Sequence, residues 1–168
     1  MSANAVANGI TTSDSQISAA LLALQNSVTN LIFNTGGLAI KAGGSALAKT
    51  VNTVHFRIGD KVYSKAAADC AALSGTVTNA KFNIYAFYVD ASGTMSSAMG
   101  TEGATLAAVV LPTAVPASTA CLGYVIINPT GTGNFVGGTT ALDDATVAPN
   151  AVYVNTVGVS IFPNVSSL

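Results

Sequence analysis

Residues 81–90, KFNIYAFYVD, constrain the fold more than any other stretch. In an extended chain Phe82, Ile84, Ala86 and Tyr88 point to one face, and Tyr85, Phe87 and Val89 to the other. Both faces are apolar. A strand of this kind is unstable with one face in water, so it predicts a central strand covered on both sides. Residues 121–128, CLGYVIIN, have the same character and supply a second strong β segment.

The rest of the chain fits β structure around these two. Residues 54–58 (VHFRI) alternate, with Val54, Phe56 and Ile58 on one face and His55 on the opposite one. Gly59-Asp60 supplies a tight turn, and Lys61, Val62 and Tyr63 return as the second arm of a hairpin. Leu38 and Ile40 predict a short strand ahead of Gly43-Gly44, and residues 91–94 (ASGT) a turn. Residues 104–111 read as a strand stopped by Pro112, and residues 152–162 as a last strand ended by Pro163. Residues 66–73 (AAADCAAL) fit either a short helix or a strand. Short strands separated by Gly-rich turns predict a mainly β domain, an antiparallel β-sandwich or jelly-roll-like fold, over residues 37–168.

The first 36 residues differ. Residues 1–12 are small and polar and predict an extended arm. Ser13 and Gln16 have capping-box spacing, and Asp14 suits a helix N-terminus. Ile17, Leu21, Leu24, Val28 and Leu31 then recur in steps of four and three, the seam of a short amphipathic α-helix ended by Asn34 and Gly36-Gly37. Such a helix is marginal alone in water and needs a second surface. That surface is either its own domain or an oligomer or capsid contact. Charges flanking the seam, which usually specify coiled-coil pairing, are absent.

The exterior is the next constraint. Only 8% of the 168 residues are charged, against roughly 25% in an ordinary soluble domain. Ser, Thr, Asn, Gly and Ala must therefore make up most of the surface, unless partners cover it. Weakly charged surfaces associate readily, so assembly with other copies is expected. All six basic residues lie between Lys41 and Lys81, while Asp90, Glu102, Asp143 and Asp144 follow them. This asymmetry can orient subunits, but the basic residues are too sparse for a nucleic-acid footprint. No apolar run reaches the length of a membrane-spanning helix. The first 16 residues lack the basic and apolar regions of a secretory signal, so a cytosolic origin is expected. Cys70 and Cys121 are then expected as buried free thiols, with a disulfide as the alternative.

Catalytic constellations are not visible. His55 is the single histidine, with no orienting acid or nucleophile near it in sequence. Asp143 and Asp144 are adjacent, so in extended chain they point apart and fit turn-stabilising roles better than acid/base work. Residues 90–93 (DASG) resemble the start of a calcium loop without its remaining ligands. In residues 131–138 (GTGNFVGG), Val136 occupies the third glycine position of a dinucleotide fingerprint. Asn164-Val165-Ser166 is formally a glycosylation sequon. The five tyrosines, Tyr63, Tyr85, Tyr88, Tyr124 and Tyr153, sit at strand spacing and suit a core or an interface. No catalytic, cofactor or metal residues are expected.

Residues 38–69, LAIKAGGSALAKTVNTVHFRIGDKVYSKAAAD, resemble bacteriophage structural proteins in which a GLAIK…G.SA.AKT.NTV.F.IDG..Y.KAA pattern precedes a β domain. FNIYAFYVDASGTMSS, GTEGATLAAVVLP, GYVIINPTGTGNFVGGTTALDDATV and VYVNT are similar to the same proteins, and together the segments span residues 37–156. Gly59-Asp60 stands where the pattern has Asp-Gly, which alters the turn type and keeps the hairpin. The resemblance implies a non-enzymatic virion protein, assembled in the host cytoplasm. Such a protein is a capsid decoration (cement) protein, a head fibre or a tail-associated component, commonly oligomeric and often trimeric. Its partners would be further copies of itself and the major capsid protein or another virion protein. The short chain and polar arm favour decoration of the capsid lattice. A carbohydrate-binding β-module is the alternative outside the virion.

Overall fold

The computed structural model describes residues 6–7, 10–11, 29–113, 115–128 and 131–158. Within them the chain is mainly β, built of several antiparallel sheets. The strands are β1 (Val6–Ala7), β2 (Ile10–Thr11), β3 (Leu31–Ile32), β4 (Leu38–Ile40), β5 (Ala48–Thr50), β6 (Val54–Ile58) and β7 (Lys61–Lys65). They continue with β8 (Thr76–Val77), β9 (Asn83–Asp90), β10 (Met95–Met99), β11 (Thr119–Ile127), β12 (Phe135–Val136) and β13 (Val152–Asn155).

The largest sheet has the order β10-β9-β11-β13, with β9 inside it as its two-sided sequence predicts. Tyr85, Phe87 and Val89 join the main core, and Ala86 and Tyr88 join a smaller cluster on the opposite face. Burial of each large side chain here contributes on the order of 1.5 to 3 kcal/mol. A three-stranded sheet, β3-β6-β7, sends Ile32, Val54 and Phe56 into the same main core, with Ile58 and Tyr63 packed against it. The predicted hairpin is present, Val54 opposite Lys65 and Ile58 opposite Lys61, and Phe56 and Tyr63 stack at 5.7 Å between ring centroids. Gly59 takes φ +64° in its turn, the left-handed region that glycine enters without cost.

A β-bulge lies between Cys121 and Gly123 in β11. Ala120 faces the main core before it, Leu122 within it, and Val125 and Ile127 after it. One extra residue thus moves the inward set from even to odd positions and keeps both halves of the strand packed. Gly123 has φ +145°, and a Cβ there would come within 2.2 Å of the Val154 carbonyl oxygen and 2.7 Å of Leu38 Cδ1. The Tyr85 and Tyr153 hydroxyls are buried without a hydrogen-bond partner, whereas other buried polar side chains are satisfied locally. Asn83 donates to Gly100 O and accepts from Ile84 N, and Thr156 donates to Cys121 O at 2.6 Å.

Several expectations need correction. Leu31, expected as the last position of the helical seam, stands in β3 opposite Arg57. Its neighbour Ile32 completes the core above Phe56, so strand pairing takes over from helical periodicity before Asn34 is reached. Asn34 itself extends the sheet edge, accepting from His55 N at 2.6 Å and donating to Thr53 O. The remaining seam residues, Ile17, Leu21, Leu24 and Val28, lie outside the described residues, as does the body of the expected helix. The first twelve residues contain a small ladder, Val6 opposite Thr11 and Ala7 opposite Ile10.

Residues 104–111 are not a strand. A single 3-10 turn, Leu106–Ala108, returns the chain so that Thr101 pairs with Val110, and Gly103 lies so close to Ala108 that a Cβ would come within 2.6 Å of its carbonyl carbon. Residues 66–73 are neither helix nor regular strand. They run alongside β5, with Thr50 N bonded to Ala68 O and Cys70 N to Ala48 O, and they bury Cys70 and Leu73. The last strand stops at Asn155; Thr156 and Gly158 then bond to Leu122 O and Ile32 O.

Replacing Gly123 by Ala is expected to cost roughly 2 to 4 kcal/mol, the combined effect of backbone strain and overpacking. Gly59→Asn, in an open turn with a left-handed φ that Asn tolerates, should stay within about 0.5 kcal/mol of wild type. Urea midpoints of the two variants check this, and equal midpoints would show that the bulge does not need its glycine.

Candidate interaction surface

The residues with chemical potential lie apart and are occupied by structure. His55 is exposed on the outer face of the three-stranded sheet. Asp90 Oδ1 accepts from Ser92 N, Ser92 Oγ and Thr94 N, closing the turn between β9 and β10, and these bonds hold its pKa below the usual value. Asp144 Oδ1 accepts from Thr146 N and Val147 N, with the same downward effect. Asp143 points elsewhere and receives Gly44 N at 3.1 Å on both carboxylate oxygens. The two neighbours therefore staple separate loops, as their adjacency predicts. Glu102 accepts from Thr78 N at 2.8 Å and is also held below its usual pKa. Among the described residues no group of three His, Cys, Asp or Glu side chains could hold a metal ion.

The glycines of residues 131–138 serve packing. Gly137 and Gly138 lie against the backbone at Leu73 and Ser74, and Phe135 between them and Gly133 is fully buried beside Tyr85. Asn134 accepts from Asn79 N while Asn79 accepts from Gly133 N, so this loop is tied to the one before β9 by a reciprocal pair.

Tyrosines and thiols are interior groups. Tyr85 and Tyr88 are buried, and desolvation pushes both phenols up to about 12. Tyr153 packs against the main core and is raised to about 12 by burial, then by Asp143 and Cys70. Cys70 and Cys121 are free and buried. Desolvation lifts Cys70 to about 12, with Asp69 adding to it, and Cys121 to about 11.

What the surface does present is apolar. On the outer face of β3-β6-β7, Leu31 stands in line with Arg57 and Val62, and Phe33 lies beside His55, to whose carbonyl it donates. Phe33 is 47% exposed and Val62 65%. On the outer side of the four-stranded sheet, Val152 and Val154 of β13 are open to solvent. The returning loop adds exposed Leu106, Val110 and Leu111. Charge is thin around these residues; the single ion pair among the described residues joins Lys41 and Asp69 at the surface, a contact contributing at most about 1 kcal/mol. Of the predicted contact residues, Leu31 is the one among the described residues, and it lies on this surface. The exposed valines of β7 and β13 were missed, although their strict alternation with core residues was a visible signal.

In the native protein both thiols are expected to resist a neutral disulfide reagent at pH 8, because their thiolates are scarce there, and to react once denaturant opens the core. Rapid labelling of the folded chain would contradict their placement. The carboxyls of Asp90, Glu102 and Asp144 are expected to titrate below ordinary values in an NMR pH series. Their folded pKa values are depressed, so their contribution is present above the unfolded values and is lost as pH falls through the folded ones. Ordinary titration midpoints would remove the turn bonds described above.

Comparison with known proteins returns no match: no protein-family model, no curated protein and no solved structure matches this chain.

Proposed function

We propose that this chain is a non-enzymatic structural protein of a bacteriophage virion, a capsid decoration protein that binds the shell lattice as an oligomer. The observation that carries this reading is the exposed apolar surface, Phe33, Val62, Val152 and Val154 foremost, in a chain with so few charges to keep copies apart. The resemblance of residues 37–156 to phage structural proteins supports the virion setting. We read the two larger sheets, which share one core, as the layers of a β-sandwich. Polar side chains committed to turns, and tyrosines committed to the core, favour this role over catalysis or sugar stacking.

Light scattering of the purified chain is expected to give a multiple of the monomer mass, and pelleting with capsids that lack it should recover it in stoichiometric amount. A strictly monomeric chain that stays in the supernatant would overturn the proposal. Location of the chain in a virion reconstruction separates capsid decoration from a head-fibre or tail position.

A further inference from the structure

The two buried hydroxyls without a partner among the described residues, those of Tyr85 and Tyr153, lie on one transverse row of the four-stranded sheet. Tyr85 of β9 and Tyr153 of β13 both stand opposite Val125 of β11, and both rings pack on the main core. A buried hydroxyl left unpaired costs the folded state the full desolvation of that group. The two tyrosines differ in how that cost is relieved. Tyr153 keeps part of its surface exposed, so a small side-chain movement takes its hydroxyl to bulk solvent. Tyr85 is 0% exposed on a strand flanked by β10 and β11, and no movement short of opening the core does the same for it.

Tyr85 has a second polar side chain beside it. Asn83 lies two positions earlier on β9, projects from the same face and is equally buried. Its Oδ1 accepts from Ile84 N, and its Nδ2 donates one hydrogen to Gly100 O at 3.1 Å. An amide nitrogen carries two hydrogens, and the second has no acceptor among the described residues. Gly100 is held against this segment by its own N–H, which donates to Ile84 O, and a Cβ there would come within 3.0 Å of Asn83 Oδ1. Its carbonyl oxygen has two lone pairs, of which Asn83 takes one. Phe135, 6.1 Å from the Tyr85 ring, offers the hydroxyl no polar atom. A spare donor, a spare acceptor and an unpaired phenol thus converge on one part of the core.

We propose that Asn83, Tyr85 and Gly100 form a binding site for one internal water molecule, a fixed part of the folded chain. The water accepts from Asn83 Nδ2 and from Tyr85 Oη, and it donates to the free lone pair of Gly100 O. That gives it about three bonds, the usual number for a buried water. Burial pushes the Tyr85 phenol up to about 12, so it keeps its proton at neutral pH and is available as the donor. The site belongs to the single chain, so it is independent of any assembly with other copies. It accounts for a polar pair at the centre of the sheet, where β9 is otherwise packed with apolar side chains.

The test uses the full chain and looks for the water directly. A crystal structure at a resolution that shows ordered solvent is expected to place one water within hydrogen-bond distance of both Tyr85 Oη and Asn83 Nδ2. A phenol bonded to a protein atom instead, or no solvent density between the two side chains, would overturn the proposal. Tyr85→Phe and Tyr153→Phe supply a second measurement. Removing an orphaned hydroxyl relieves the core of an unpaired polar group, whereas removing one that holds a water leaves the water and the amide short of a partner. Tyr85→Phe is therefore expected to lower the urea midpoint, and Tyr153→Phe to leave it unchanged or raise it. An unchanged or higher midpoint for Tyr85→Phe would show that its hydroxyl holds nothing, and the water site falls with it. Where Tyr85→Phe does not melt cooperatively, the solvent density of the wild-type crystal decides alone.

Discussion

The pairing of β9 with β11 is the contact on which the other elements depend. It runs from Asn83 opposite Ile127 to Asp90 opposite Thr119, the longest ladder in the described structure. Both strands bury side chains on two faces, so neither could persist with a single layer beside it. Everything else is arranged to cover them. The three-stranded sheet brings Ile32, Val54 and Phe56 to one side, and Ala98, Val115 and Tyr124 close around Ala86, Tyr88 and Cys121 on the other. The bulge at Gly123 lets a nine-residue strand keep contact with both neighbours, since a regular strand would turn Val125 and Ile127 away from the core halfway along.

That dependence explains what the sequence made legible. Period-two patterns backed by tight turns, as in residues 54–63, are local and survive folding, because the alternation and the turn ask for the same structure. The two-sided apolar character of residues 83–90 identified the centre for the same reason. Residues 104–111 misled because their apolar run, ended by Pro112, has strand composition, while the decisive factor was the close approach of Gly103 to Ala108, a contact no local pattern reports. Leu31 misled differently. Its spacing from Val28 suits a helix, yet Ile32 fills the place above Phe56, and tertiary burial outweighs periodicity at the end of a segment.

The candidate surface was legible only in outline. Scarcity of charge was visible at once, and it pointed to association without saying where. The location came from alternation within paired strands: once Tyr63 and Tyr153 are placed inward, Val62, Val152 and Val154 must face out. Asp143 and Asp144, which sequence reading assigned to turn-stabilising roles, are engaged with backbone N–H groups, and so are Asp90 and Glu102. Their engagement matters beyond local stability, because a carboxylate spent on its own loop leaves less free charge on the exterior.

A surface with little charge can discriminate between partners only by where its few charges stand. Lys61 and Lys65 mark the two ends of β7, and Asp143 is held at the Gly44 turn. Coulomb attraction between such exposed groups is small, on the order of 1 kcal/mol or less for each pair. Repulsion has a similar size, and the discrimination between right and wrong partners is the difference between the two. A chain with a dense surface charge would repel its own copies through many contacts; one with no charge would associate indiscriminately. The composition of this protein lies between those limits, with six cations placed before residue 82 and four of its seven acids after it.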